Sequence, residues 1–422
     1  MTDAARVVQR TYLLLTLLTT LAASFIWGIN TLFLLDAGLS NTEAFAANAF
    51  FAVGQVIFEI PTGVVADTRG RRLSFMLGAG TLLLSTLLYL LMWNIGAPFW
   101  AWAIASALLG LGFTFFSGAT EAWLVDALAA NGFTGNLESV FGRAQVVGGG
   151  AMLVGSVAGG FIAQATDLGV PYIVRAALLG VTLVVAWWFM HDMGFTPERG
   201  VTPITAVRTV ISGAVDGGLR NRPVRWLMLA APFTMGVGFY AFYALQPYLL
   251  ELFGDPTAYG IAGLAAALVA GSQIVGGLTV PWVRRLFKRR TDALIVAGVL
   301  TVILLALIGL TNSFVIAAAL VIAWCLVGAI EEPMRRAFIN GLIPSQQRAK
   351  VLSFDSLIGS AGGAVAQPAL GRTADVFGYP ASYVASAAIQ ALAIPFAFLA
   401  RRENAVSDPI QAKAEAEAQT EP

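Results

Sequence analysis

Four carboxylates interrupt long apolar runs of this sequence: Glu59, Glu121, Glu331 and Glu332. An ionised carboxylate inside an apolar stretch is costly, so each marks a place where proton binding, ion pairing or ligand contact offsets the cost. Glu59 lies in VGQVIFEIPTG, roughly 25 Å along a helix that starts near residue 42 and about 12 Å before Asp67, taking about 1.5 Å per residue. Pro61 loosens the backbone just after it, and Gly63 stands on the same helical stripe. Glu59 and Glu121 are the candidate proton carriers, with an ion pair that holds the helices together as the competing role for Glu59. Glu331 and Glu332 precede Arg335 and Arg336 at spacings that predict local ion pairs. Asp355 could serve either purpose, whereas His191, beside Asp192, reads as an interfacial residue.

Other chemistries find little support. Cys325 is the single cysteine, so there is no disulfide framework, and no Cys/His cluster suggests a metal site. No nucleophile-base arrangement and no G-x-x-x-x-G-K-[ST] loop is present. Neither an enzyme, a cofactor nor a metal is expected.

The elements that must position these carboxylates follow from composition. The chain is 58% hydrophobic and 12% charged, about half the charged fraction of a soluble domain. A bilayer core about 30 Å thick needs about 20 apolar residues per helix. Punctuation divides the sequence into twelve such stretches, near 11–35, 42–66, 73–93, 98–128, 139–165, 171–191, 224–252, 258–283, 292–311, 314–341, 350–374 and 379–400. Backbone groups must be paired in hydrocarbon, and the runs lack the alternation of barrel strands, so the fold expected is an all-α integral membrane protein with twelve transmembrane helices.

The net charge of +1 gives no sign of nucleic-acid binding. Its distribution is lopsided: with the N-terminus inside, Arg175 and Arg372 alone fall toward the outer face, which predicts both termini in the cytoplasm of a multi-pass, bacterial-type cell membrane. The first apolar stretch reads as an uncleaved span. The domains expected are a six-helix lobe at 1–191, a cytoplasmic linker at 192–222, a second six-helix lobe at 223–402 and a disordered tail at 403–422. Within the linker, Ile204, Val207, Ile211 and Val215 recur at helical spacing, which suits an amphipathic interfacial helix, with a plain flexible connection as the alternative.

The halves repeat one another. GATE at 118–121 returns as GAIE at 328–331, and the same offset carries Ala127 onto Ala337 and sets Asp126 opposite Arg336. Repeated halves are the build of many secondary transporters. After the second span comes GVVADTRGRR at 63–72. Its pattern of Gly, three residues, Asp, two residues, Gly, Arg, Arg resembles the loop signature of the major facilitator superfamily (MFS), in spacing, span number and side of the membrane. The resemblance implies two pseudo-symmetric six-helix lobes and a cytoplasmic latch formed by Gly63, Asp67, Gly70, Arg71, Arg72, Asp126 and Arg143. In that latch Gly63 admits the eleventh span, Asp67 meets that span's N-terminus, Arg71 faces Asp126 with Arg143 as competitor, and Arg72 reaches lipid phosphates. A set of arginines that only fixes topology is the plainer alternative.

AMLVGSVAGG at 151–160 resembles the superfamily's antiporter motif, with Gly155, Gly159 and Gly160 kept and Ser156 where the motif has proline. An exporter and a small-residue packing face are both open readings. By the resemblance, candidate cavity residues are Trp27, Asn30, Asn48, Gln55, Gln145, Tyr240, Tyr243, Gln246, Gln273 and Glu331. Few cations accompany them, which favours a neutral, cationic or amphipathic substrate over a polyanion; Arg175 is the exception. The function expected is proton-coupled efflux of small amphipathic compounds by a monomer whose partners are its substrate, protons and the bilayer. Proton-coupled uptake on the same fold is the alternative, followed by a receptor or lipid-translocating protein.

Overall fold

The computed structural model describes residues 2–197 and 203–410. Fifteen α-helices are described in chain order: α1 Asp3–Trp27, α2 Asn30–Asp36, α3 Asn41–Arg69, α4 Arg71–Ile95, α5 Phe99–Thr114, α6 Ala119–Ala130, α7 Leu137–Ala165, α8 Val170–Phe189, α9 Pro203–Ala214, α10 Arg222–Phe253, α11 Tyr259–Val283, α12 Arg290–Leu310, α13 Phe314–Asn340, α14 Ser345–Ala391 and α15 Ile394–Arg402. Among the described residues, eleven helical stretches are long and apolar enough to cross a bilayer. The last, Lys350–Arg402, has 53 residues, far more than the about 20 that one crossing requires. Gly378, at φ 81° and ψ 168°, interrupts it and separates the eleventh span from the twelfth, in line with the twelve stretches read from the sequence.

Local chemistry sets several helix starts. At α3, Ser40 Oγ accepts the Glu43 amide at 3.3 Å and the Glu43 carboxylate accepts the Ser40 amide at 2.9 Å, a reciprocal capping box. Asn136 Oδ1 accepts from the Glu138 amide at 2.8 Å and so caps α7.

The chain forms two compact units, Met1–Val207 with Leu245–Ala270, and Arg208–Ala244 with Gly271–Pro422. These bounds differ from the lobe limits expected from sequence, because the end of α10 and the first half of α11 belong with the first unit. Within that unit α1 packs on α7 and α8, α3 on α5, and α4 on α5 and α8. The α3–α5 seam is backbone on backbone: a Cβ on Gly54 would meet the Ala107 backbone, and one on Gly110 the Phe51 carbonyl. In the second unit α12 packs on α13, α14 and α15.

Within the expected linker, α9 is helical over Pro203–Ala214, with Ile204 and Ile211 exposed on it. The expected disordered tail requires correction. Residues 403–410 are docked on the second unit: Asp408 accepts from the Thr291 amide at 2.9 Å and from its hydroxyl at 2.8 Å, Arg290 donates to the Ser407 carbonyl, and Ser407 Oγ donates to the Phe338 carbonyl at 2.8 Å. Thr291 opens α12, so Asp408 supplies the acceptor that this helix start lacks locally. The remainder of that tail, 411–422, lies outside the described residues.

Candidate functional site

Two helices of the first unit are interrupted, and the candidate residues gather at the interruptions. The first lies between α5 and α6, where Gly118 takes φ +67°, a conformation that glycine tolerates best. The freed Phe115 carbonyl accepts from Ser74 Oγ of α4 at 2.9 Å. Ser117, inside the interruption, donates its hydroxyl to Glu59 Oε1 at 2.6 Å. Glu121 is exposed in the first turn of α6, where the helix dipole favours an anion. The two proton-carrier candidates are therefore brought to one broken helix, and Ser117, which went unnoticed in the sequence, joins them. The run SGAT, a serine and a glycine just before Glu121, is the signal that could have pointed to it.

The second interruption lies between α1 and α2, at Gly28 and Ile29. Gln246 of α10 bridges it, accepting from the Thr31 amide through Oε1 and donating from Nε2 to the Trp27 carbonyl, both at 2.9 Å. Asn30 donates to Asn48 Oδ1 at 2.8 Å and accepts from the Tyr172 hydroxyl at 3.0 Å. Tyr172 in turn stacks on Phe33 of α2 with ring centroids 4.0 Å apart. Trp27, Asn30, Asn48 and Gln246 thus form one cluster, to which Thr31 and Tyr172 are additions. Gln145 and Gln273 are exposed, Gln55 is half-buried on α3, and Tyr243 makes an edge contact with Phe242. Tyr240 is buried in the second unit, where its hydroxyl lies 2.6 Å from Ser382 Oγ.

Arg175 is 2% exposed. It donates to Thr86 Oγ1 at 2.9 Å and to the Ala22 carbonyl at 3.1 Å, which ties α8 to α4 and α1.

The GVVADTRGRR loop departs from the expected contacts. Arg71 turns back to Asp67 at 2.5 Å, four residues earlier across the Gly70 break, instead of facing Asp126, and its guanidinium lies over the Phe195 ring. Among the described residues Asp126 forms no ion pair with Arg71 or with its expected competitor Arg143. Arg72, expected at lipid phosphates, donates to the Trp187 carbonyl at 2.7 Å and lies 5.0 Å over that ring. Its backbone amide is capped by Asp192 Oδ1 at 2.8 Å. Gly70, at φ +113°, leaves room for Asp192, whose Oδ2 a Cβ there would strike. A Cβ on Gly63 would meet open space within its own unit.

The fifth-span glycines are spent on packing. A Cβ on Gly155 would strike Ser24 Oγ of α1, one on Gly159 the Phe25 backbone, and one on Gly160 the backbone of Tyr259 and Gly263. Ser156 is buried between them.

In the second unit, the local pairing expected for Glu331 does not form. Arg335 grips Asp355 of α14 with both nitrogens, at 2.7 and 2.6 Å, and Arg336 takes Glu332 at 2.5 Å. In the connection between α10 and α11, which lies outside the spans, Asp255 is held below the ordinary carboxylate range, first by the Thr257 hydroxyl and then by the Thr257 amide.

A family model described as Major Facilitator Superfamily matches residues 12–328 and 278–421. An uncharacterized MFS-type transporter, MJ1560 of Methanocaldococcus jannaschii, is 22% identical over 230 residues, which are 54% of this chain and 57% of that protein. The chain therefore spans little more than half the length of that relative. Among solved structures, a variant of the nucleoside transporter NupG superposes with a TM-score of 0.76 at 12% identity, covering 93% of this chain and 99% of that one. A bacterial homolog of the human lysosomal transporter Spinster gives 0.69 at 16% identity over 95% and 98%. At these identities the structural likeness is one of fold.

Proposed function

The chain belongs to the Major Facilitator Superfamily, and on that premise we propose that it is a secondary transporter that couples protons to the efflux of small amphipathic compounds. The observation that carries the coupling is the Glu59–Ser117 hydrogen bond at the α5–α6 interruption. Interrupted helices supply ion and substrate sites in secondary transporters because the turn frees backbone groups and leaves a half-helix terminus to face a charge. The Ser117 hydroxyl donates to Glu59 Oε1, and a proton taken up by that carboxyl makes it a weaker acceptor with a donor of its own, so the bond across the break changes with the proton. Charge at this carboxylate is thereby linked to the shape of the break, which is the link a coupled transporter requires. The α1–α2 cluster of Asn30, Asn48, Tyr172 and Gln246 is the proposed polar contact region for substrate, and the arginine-rich ends of the helices are placed in the cytoplasm.

Uptake by proton symport is the second reading. The antiporter-like pattern of the fifth span does not argue against it, because Gly155, Gly159 and Gly160 each meet a neighbouring residue in helix packing.

The test is flux in proteoliposomes under an imposed pH gradient, across a panel of lipophilic cations, nucleosides and sugars. Antiport predicts that substrate and protons move in opposite directions, and that Glu59→Gln abolishes accumulation while substrate exchange continues. Movement in one direction would replace export with uptake, and an absence of any proton movement with a transported substrate would refute the coupling.

A further inference from the structure

Glu331 stands apart from the other charges of the second unit. It lies on α13, 17 residues after the start at Phe314, hence roughly 26 Å along the helix. Three ion pairs of the second unit do not include it. Arg335, one turn further on the same helix, gives Nη1 and Nη2 to Asp355 of α14 and a further bond to the Leu227 carbonyl of α10 at 3.3 Å. Arg336 is held by Glu332, and Asp292 of α12 by Arg401 of α15 at 2.7 Å. Among the described residues no hydrogen bond or ion pair reaches Glu331, and the charged groups that act on it are Arg335 and Glu332. The set Glu331, Arg335 and Asp355 holds two acids and one base. Arg335 is already neutralised by a bidentate partner, so an ionised Glu331 would be one charge in excess inside a helix bundle, which is strongly unfavourable.

Glu331 faces a cleft rather than packed hydrocarbon. The cleft measures about 30 Å³ and its polar lining is Thr234, Glu331, Arg335 and Gln390, with Leu294 and Gly298 among the apolar walls. A space of this size holds one or two waters, and these four polar side chains offer them partners among otherwise apolar walls. On its far side the helix is interrupted at Leu392–Ala393, between α14 and α15, where the Ala393 amide turns to the Gln390 carbonyl at 3.0 Å. No titratable residue of α10 or α15 lines the cleft, so nothing there competes for a proton.

We propose that Glu331 is a proton-binding carboxyl in the second unit, reached through water in this cleft, and that its proton is exchanged during the transport cycle. The proposal rests on the proton-coupled reading above and adds to it a site in the other half of the molecule. Protonation removes the excess charge and leaves the Arg335–Asp355 pair intact. Deprotonation restores a second carboxylate that competes with Asp355 for the same guanidinium, so the tie from α13 to α14 and α10 depends on whether the proton is present.

Two measurements test it. Infrared difference titration of the full-length protein in lipid should show a carboxylic C=O band that disappears as pH rises, that is absent in Glu331→Gln and that persists in Glu59→Gln. In proteoliposomes, Glu331→Gln should lose accumulation driven by the pH gradient, while Glu331→Asp should retain accumulation with a displaced pH profile. A wild-type band that survives in Glu331→Gln, or Glu331→Gln that accumulates substrate as wild type does, overturns the proposal. Should Glu331→Gln fold poorly, the Glu331→Asp band shift decides in its place, and an unshifted band overturns it. If Glu331→Gln behaves as wild type while Glu59→Gln is uncoupled, this inference alone fails. If wild type shows no gradient-driven accumulation, the coupling itself fails.

Discussion

Asp192 caps α4 across a gap that Gly70 keeps open, and this pair allows a quantitative test of the GVVADTRGRR loop. Asp192→Ala removes the carboxylate that accepts the Arg72 amide at 2.8 Å. Loss of an N-cap costs about 1 kcal/mol, and loss of the anion beside the helix start roughly another 0.5 kcal/mol at this exposed position. The sum, about 1.5 kcal/mol, corresponds to a roughly tenfold rise in opening of the first turn of α4. Gly70→Ala suffers more. Its backbone, at φ 113° and ψ 148°, lies where a side chain is strained by about 2 kcal/mol, and the new Cβ would also displace Asp192 and forfeit the cap, for a total of about 3.5 kcal/mol. In the double variant the cap can be lost only once, so the cost should stay near 3.5 kcal/mol instead of the additive value of about 5 kcal/mol. The coupling of about 1.5 kcal/mol is the quantity to measure, by hydrogen exchange of the amides of Arg72 to Met76 in nanodiscs across wild type, both single variants and the double. Asp192→Asn, which keeps an acceptor but not the charge, should fall between wild type and Asp192→Ala. Costs that add to within about 0.5 kcal/mol, or an Asp192→Ala protein with unchanged exchange, would show that the close approach does not position the loop.

Further outcomes follow from other contacts. Asp408→Ala leaves the amide and hydroxyl of Thr291, which is fully buried, without their acceptor, at a cost of about 1–3 kcal/mol; limited proteolysis should then cut within residues 403–410 faster than it does in wild type. Gly159→Val drives a side chain into the Phe25 backbone and should destabilise by about 1–3 kcal/mol in thermal unfolding, whereas Gly150→Val, where a Cβ meets open space, should not lower stability measurably. Thr257→Ala should return Asp255 toward the ordinary carboxylate value, since the Thr257 hydroxyl is the leading cause of its depression. The sign follows from the lowered native value: the Asp255 contribution is present above the unfolded carboxylate range and fades as pH falls through the native value, so wild type and Thr257→Ala should converge in stability at the acid end. An NMR titration of the Asp255 carboxyl checks both statements.

Span number and helical class were legible in the residues because hydrocarbon leaves the backbone one solution: an apolar run of sufficient length must satisfy its own hydrogen bonds. Even the division of the 53-residue Lys350–Arg402 stretch was legible, since few residues other than glycine fit the turn at 378. The carboxylates could be named for the same reason, as costly residues in apolar runs. Their partners could not. Helical spacing predicted that Glu331 would pair with Arg335, but Asp355 arrives from another helix with better geometry and takes both guanidinium nitrogens. Arg71 went the other way, choosing Asp67 four residues back over the more distant Asp126 that the family resemblance suggested.

What the sequence determined by itself was therefore the list of spans and the costly residues within them, because burial in lipid acts on each residue separately. Which serine meets Glu59, which glutamine bridges the gap after Trp27, which aspartate caps α4 and which carboxylate is left over beside Arg335 were decided by tertiary structure. Each of these outcomes is set by a residue distant in the chain, Ser117 for Glu59, Gln246 for Trp27, Asp192 for Arg72 and Asp355 for Arg335, and a periodic apolar pattern carries no record of which polar group the fold will bring within about 3 Å.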